Sequence, residues 1–189
     1  MKILAISGSP RKKGNTVLML RTVLDVLQSE GFETELESLS GKVIKPCNAC
    51  MTCRKEPRCS IDDDDFAPIF EKSLQADGLL LGTPVYFGSA TPEIKAFIDR
   101  AGYVSRNNGN FYKRKVGAPV VVARRAGRTF TYAQLMFFYT INEMILVGSS
   151  YWNVGVGREP GEVENDAEGM KTMRDLGSNM AWVLKKLHA

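Results

Sequence analysis

The sequence predicts an α/β fold in which strands alternate with helices and a parallel sheet is covered on both faces. Five short strand-like runs, Lys2–Ser7, Phe32–Ser38, Ala76–Gly82, Val116–Ala123 and Leu146–Ser150, lead into segments that are mostly helical in apolar spacing. Strands joined in this way need crossover connections, and crossovers place helices on the faces of a parallel sheet. The length of 189 residues, with 44% hydrophobic and 24% charged side chains, is that of one soluble globular domain spanning 1–189.

In chain order, Lys2–Ser7 is β-prone and ends in a Gly/Ser/Pro loop. A helix is expected from Thr16 to Ser29, with Val17, Leu20, Leu24 and Leu27 on one face, Asn15 placed to cap it and Gly31 to stop it. After the second strand, residues 40–61 break the rhythm and carry every cysteine. The Asp62–Asp65 run complements the dipole of a helix over Phe66–Ala76, which is a better reading than a calcium loop because spaced ligands are missing. The leucines of Ala76–Gly82 form a buried strand. Thr91-Pro92-Glu93 then reads as N-cap, N1 and N2 of a helix to about Ala101. Ser105–Asn110 is turn-like, Val116–Ala123 is the fourth strand, Phe130–Ile145 a helix, Leu146–Ser150 the fifth strand and Asn165–Leu187 the last helix. The aromatics Phe130, Phe137, Phe138 and Tyr139 fit core or subunit surface better than a cofactor box.

Composition excludes several functions. The formal charge of +4 suits anionic ligands but is too small to argue for nucleic acid. No apolar run reaches the ~20 residues of a membrane span, and the opening MKILAISGSPRKK does not read as a signal peptide. The one histidine, His188, lies at the C-terminal end, which disfavours Ser-His-Asp triads, Cys-His dyads and His-rich zinc sites. Four cysteines within thirteen residues are no disulfide framework, so a cytoplasmic setting is expected, with metal or redox work for the thiols.

In a doubly wound sheet the ligand sits beyond the carboxyl ends of the strands. Three loops lie there. The first, Ser7–Thr16, is neither the dinucleotide Gly-x-Gly-x-x-Gly nor the triphosphate loop. Ser7, Ser9, Asn15 and Thr16 offer short donors, Arg11 can fork onto two oxygens, and the helix N-terminus adds free N–H groups, a set suited to a phosphate monoester. The alternative is a tight connection with solvated lysines. The second loop, Thr83-Pro84-Val85-Tyr86-Phe87-Gly88, has a fixed backbone path and aromatics that suit a flat heterocycle, or else belong to core or a subunit contact. Together the two loops point to flavin mononucleotide (FMN). In the third, Ala123–Thr129, Gly127 permits close approach and an arginine such as Arg124 can stabilise negative charge on a reduced ring; a solvated basic loop is the bland reading.

The stretches SGSPRKKGNT, ADGLLLGTPVYFGSATPEIKAFIDR and GEVENDAEGM resemble the flavodoxin-like NADPH-dependent FMN reductase family. With the cysteine segment included, the resemblance is closest to its iron–sulfur flavoprotein branch and covers nearly the whole chain. It implies a flavodoxin-like five-stranded sheet of order 2-1-3-4-5, a cysteine-bearing insertion after strand 2, and assembly as a homodimer or homotetramer. It places Ser7, Ser9, Arg11, Asn15 and Thr16 at the phosphate and Pro84 through Gly88 along the isoalloxazine.

Cys47-x2-Cys50-x2-Cys53-x5-Cys59 is the most specific motif. Thiols three residues apart drift around an α-helix but line up in a 3₁₀-like path. Ferredoxins use the same start, and a fourth thiol nearby lets one segment ligate a 4Fe–4S cluster. Lys45, Arg54, Lys55 and Arg58 offset the thiolate charge. A dithiol pair of Cys47 and Cys50, thiols without a cluster, and a zinc site are the alternatives. Where similar flavoproteins commonly have Cys-x-Gly-Cys, this chain has Ala49 before Cys50.

The expected activity is an FMN-dependent oxidoreductase, since the flavin carries chemistry that a chain without a catalytic histidine does not. The resemblance implies ferredoxin or transiently bound NAD(P)H as electron donor. The competing readings are a flavodoxin-like electron carrier, disfavoured by the positive charge, and a zinc-stabilised interaction module.

Overall fold

The computed structural model describes residues 1–188. Its elements run β1 (Lys2–Ser7), α1 (Asn15–Ser29), β2 (Glu33–Ser38), a 3₁₀ turn (Thr52–Arg54), α2 (Phe66–Gln75), β3 (Gly78–Pro84), α3 (Pro92–Asn107), β4 (Val116–Ala123), α4 (Arg128–Ile141), β5 (Ile145–Leu146), β6 (Val154–Val156), a second 3₁₀ turn (Glu162–Asn165) and α5 (Ala167–Leu187). The sheet order is β2-β1-β3-β4-β5, all parallel, as expected for a flavodoxin-like fold.

Alternation along each strand divides the apolar side chains between two cores. Leu4, Ile6, Leu79 and Leu81 face α2, α3 and α4, where Phe66, Phe97 and Leu135 meet them. Ile3, Ala5, Leu80 and Val120 face α1 and α5, against Leu20, Leu27, Met173 and Leu176. A sheet covered on both sides buries nearly every position of its central strands, which is why β3 and β4 read as continuous apolar runs.

The expected fifth strand is divided. Ile145–Leu146 pairs with Val116–Gly117, and a sixth strand, Val154–Val156, pairs with Val121–Ala123 further along the same edge. Between them Gly148-Ser149-Ser150 supplies turn chemistry instead of β-branched side chains, and the Ser149 hydroxyl shares its one proton between Tyr151 O and Asn153 Oδ1, each 2.6 Å away. The opposite edge, β2, carries charge: Lys2 and Lys72 reach Glu35 at 2.7 and 2.8 Å, and Lys72 reaches Glu37 at 2.6 Å.

Other boundaries also moved. Helix α3 continues through the polar Ser105–Asn107, where Asn107 and Asn108 side chains donate back to Tyr103 O and Val104 O at 2.8 Å. Helix α4 begins at Arg128, after Gly127 at φ +89, and stops before Glu143, whose φ of 54 turns the chain away. Gly14, not Asn15, is the cap residue of α1. Asp65 makes no side-chain cap on α2, but Asp64 Oδ1 accepts from the Phe66 amide at its start at 3.1 Å; Asp64 and Asp65 also accept from the Lys45 and Val43 amides at 2.8 Å.

Pro119 occupies a central strand, a position proline normally avoids. Beside it the Tyr139 hydroxyl enters the β3–β4 ladder, accepting from Leu81 N at 2.9 Å and donating to Ala118 O at 2.8 Å. The ring fits because residue 117 is glycine: a Cβ there would lie 2.4 Å from Tyr139 Cε1. Burial pushes the Tyr139 phenol well above its ordinary value, so it stays a neutral donor. Tyr139→Phe removes a fully buried bridging hydroxyl, and chemical denaturation should show a loss of about 1–3 kcal/mol.

Candidate functional site

The carboxyl ends of β1, β3, β4 and β6 converge on one cleft of ≈160 Å³. Ser9, Arg11 and Thr16 form one wall, Pro84, Val85 and Tyr86 a second, and Arg124 and Arg158 close it. The first loop meets the end of β3 and the start of α3 through Gly8. Its N–H donates to Gly82 O at 2.7 Å, and its carbonyl accepts from the Thr91 hydroxyl at 2.7 Å. A Cβ on Gly8 would lie 2.6 Å from Ile94 Cβ, so the backbone approach of the first loop to α3 requires glycine.

The first loop is held open by its own side chains. Ser7 Oγ accepts from Ser9 N at 3.3 Å and Ser9 Oγ accepts from Arg11 N at 3.2 Å. The N-terminus of α1 points into the cleft with no acidic side chain in its first turn, leaving its positive end for an anion. Arg11 is exposed and donates to Arg158 O at 3.2 Å.

Not every expected residue stands on the cleft wall in the same way. Asn15 lines it, but its amide is a strut: Nδ2 donates to Glu159 O at 2.9 Å and Oδ1 accepts from Gly161 N at 2.9 Å. Ser7 and Thr83 are buried behind the cleft, and the Thr83 hydroxyl accepts from Thr91 N at 3.1 Å. Tyr86 to Ser89 close a tight turn with both central residues at positive φ, 49 at Phe87 and 79 at Gly88, and Phe87 projects into solvent. Gly127 lies against this turn instead of in the cleft; a Cβ on it would lie 2.8 Å from Val85 Cγ1.

Arg158 and Gly157 are the cleft residues that the sequence reading missed. They follow β6, whose three residues are too short to give a periodic signal. Gly157-Arg158-Glu159-Pro160-Gly161 is turn chemistry at a strand end, which was the available signal. The largest groove, ≈1000 Å³, is elsewhere: it runs between α3 and α4 past Tyr103, Phe137 and Ile141. It is an open trough on the outer helical face, whereas the smaller cleft gathers the donors at the strand ends.

The four cysteines are free thiols around a second, nearly closed cavity floored by Arg100, Tyr103 and Val104 of α3. Cys47 and Cys50 are exposed, Cys53 and Cys59 half-buried. Cys53 sits in the 3₁₀ turn, and Ala49 and Met51 flank Cys50 at φ 56 and 61. Left-handed backbone is favourable for glycine, so Ala49 is tolerated with strain where a glycine would have none. Among the described residues no three His, Cys, Asp or Glu side chains converge as a site for a single ion. The free space inside is ≈20 Å³, so the segment has to part to admit a larger group.

Hydrogen bonds to the Cys50 sulfur from the Ser60 hydroxyl, at 3.0 Å, and from Thr52 stabilise its thiolate and lower its pKa to about 7. In metal-free protein Cys50 should be alkylated with a half-point near pH 7, and Ser60→Ala should move that half-point upward; mass spectrometry of iodoacetamide-treated protein across pH checks both.

The topology and the strand-end cleft define an α/β mononucleotide-binding protein of the flavodoxin-like type. The chain belongs to the NADPH-dependent FMN reductase family, which it matches over residues 1–159. It falls in the iron–sulfur flavoprotein branch. It is 41% identical to an iron-sulfur flavoprotein of Methanocaldococcus jannaschii, over 98% of each chain. With the iron-sulfur flavoprotein of Methanosarcina thermophila it shares 36% identity, over 98% of this chain and 96% of that one. Among solved structures it is similar to a flavone reductase, with a TM-score of 0.75 and 21% identity, covering all of this chain and 64% of that one; the likeness is one of fold. The protein is therefore an FMN-dependent oxidoreductase. No helix is long and apolar enough to cross a membrane.

Proposed function

We propose that FMN binds at the strand-end cleft and that Cys47, Cys50, Cys53 and Cys59 hold a 4Fe–4S cluster, so that electrons pass between a reduced donor, NAD(P)H or ferredoxin, and an acceptor. The observation that carries the flavin assignment is the convergence of the Ser9–Thr16 and Pro84–Tyr86 loops with three arginines on one cleft. In this reading the α1 N-terminus, Ser9, Thr16 and Arg11 take the phosphate, with Ser7 and Asn15 bracing them. Pro84, Val85 and Tyr86 line the ring, and Thr83, Phe87, Gly88 and Gly127 shape that wall. Arg124 and Arg158 supply positive charge at the rim.

The donor set supports the cluster assignment. Four free thiols from one short segment line one cavity, the number of ligands a 4Fe–4S cluster takes. A multi-iron group takes one thiolate per iron and needs them spread. When bound, FMN and the cluster supply hydride and single-electron transfer. The chain's residues bind and orient them. Exposed Phe130, Phe137 and Ile141 on α4 favour assembly as a homodimer or homotetramer through helical surface, and the clustered free thiols favour a reducing, cytoplasmic setting.

Denaturation should release FMN, identified by chromatography; recovery of FAD, or of no flavin after reconstitution, overturns the assignment. Arg11→Ala should weaken FMN by about 1.5–3 kcal/mol in a fluorescence titration.

Protein purified without oxygen should carry about four irons and four sulfides per chain. Cys59→Ser should lower that content while FMN stays bound. Iron-free protein after anaerobic reconstitution would leave the plain FMN reductase reading.

A further inference from the structure

Arg100 is the bulkiest fully buried side chain in the molecule, at 1% exposure. A guanidinium taken out of water demands partners. Its ion pair is with Asp64, and both side chains are completely covered. Nη2 also donates to Ile61 O at 2.8 Å and Nη1 to Lys45 O at 3.2 Å. The guanidinium carbon lies 4.0 Å from the centre of the Phe66 ring. These contacts engage the two Nη groups. The remaining donor, Nε–H, is directed at Cys59 Sγ at 3.3 Å.

The backbone partners lie at special places. Lys45 is two residues before the first thiol of the motif, and Ile61 is two residues after the last. One side chain on α3 thus grips both ends of the cysteine loop and touches a thiol within it.

We propose that Arg100 is a positioning residue for the iron–sulfur group: it clasps the base of the cysteine loop and, by its hydrogen bond to Cys59 Sγ, holds that ligand and makes the bound group easier to reduce. The proposal rests on the reading that the four cysteines hold a cluster. Hydrogen bonds to ligating sulfurs and a nearby positive charge both favour the form that carries the extra electron. Asn107 Nδ2, one to two turns further along α3, approaches Cys53 Sγ at 3.6 Å and adds a second such donor.

The test compares wild type with the neutral pair Arg100→Gln/Asp64→Asn, which leaves no unpaired buried charge, and with Arg100→Lys, which keeps the charge but loses the fork. Circular dichroism and FMN content establish that each variant is folded. In iron-free protein, trypsin should cut at Arg54, Lys55 or Arg58 on the order of ten-fold faster in the neutral pair, because the loop base is released. After anaerobic reconstitution, iron should pass to a chelator about 10–100-fold faster. The cluster midpoint in a spectroelectrochemical titration should shift to more negative potential. A folded neutral pair with wild-type iron release and an unchanged midpoint overturns the proposal. If that variant does not fold, Arg100→Lys decides in the same way, since wild-type behaviour there overturns it. Wild-type protein that takes up no iron overturns the cluster reading and the tuning with it, while the proteolysis still judges the clasp.

Discussion

A missing side chain at Gly8 sets the geometry of the carboxyl edge. With hydrogen in place of Cβ, the first loop comes close enough for its backbone to pair with Gly82 on one side and Thr91 on the other. The approach of the first loop to the second and the entry angle of α3 follow from that contact. Any larger residue has to push against Ile94, whose own position is fixed by the core. Close packing transmits such a displacement instead of absorbing it.

Helix α3 therefore has two duties. Its N-cap, Thr91, is tied to the loops at the strand-end cleft, and nine residues later Arg100 faces the cysteine cavity, a rise of about 13.5 Å along the axis. A rigid rod shared by both sites keeps the cysteine loop indexed to the sheet although the loop has little regular structure of its own. The acidic run before α2 serves the same end. Burial alone would push the Asp64 carboxyl up, but the Arg100 guanidinium and the Lys45 and Phe66 amides hold it below the ordinary carboxylate range.

Much of this was legible in the residues. The strand order and the meeting of the loops after β1 and β3 at one cleft followed from period, turn residues and resemblance, because buried parallel strands and glycine-rich strand ends are strong local signals. Asp64 and Arg100 were not. The carboxylates ahead of α2 are a local capping signal, borne out by Asp64 on the Phe66 amide, but the buried partner of Asp64 lies 36 residues away on another element. Asn15 shows the same limit: short polar side chains beside a phosphate loop look alike in sequence, and only the fold shows that this one braces the turn after β6. Strand β6 escaped because three residues carry no period. The outward course of Phe87 was not legible either, since it follows from a turn with positive φ at its centre.

The interruption between β5 and β6 has a consequence for the molecule in a crowded solution. An uninterrupted outer strand offers a continuous row of unpaired amides and carbonyls on which a strand from another chain can grow. Here that row is broken after two residues at Leu146 and resumes for three at Val154, with Tyr151 and Trp152 standing out between them. No incoming strand finds more than a few partners in register before it meets the bulge. The edge is thereby a poor template for cross-β growth, even though β3 and β4 behind it are apolar enough to aggregate if they were exposed.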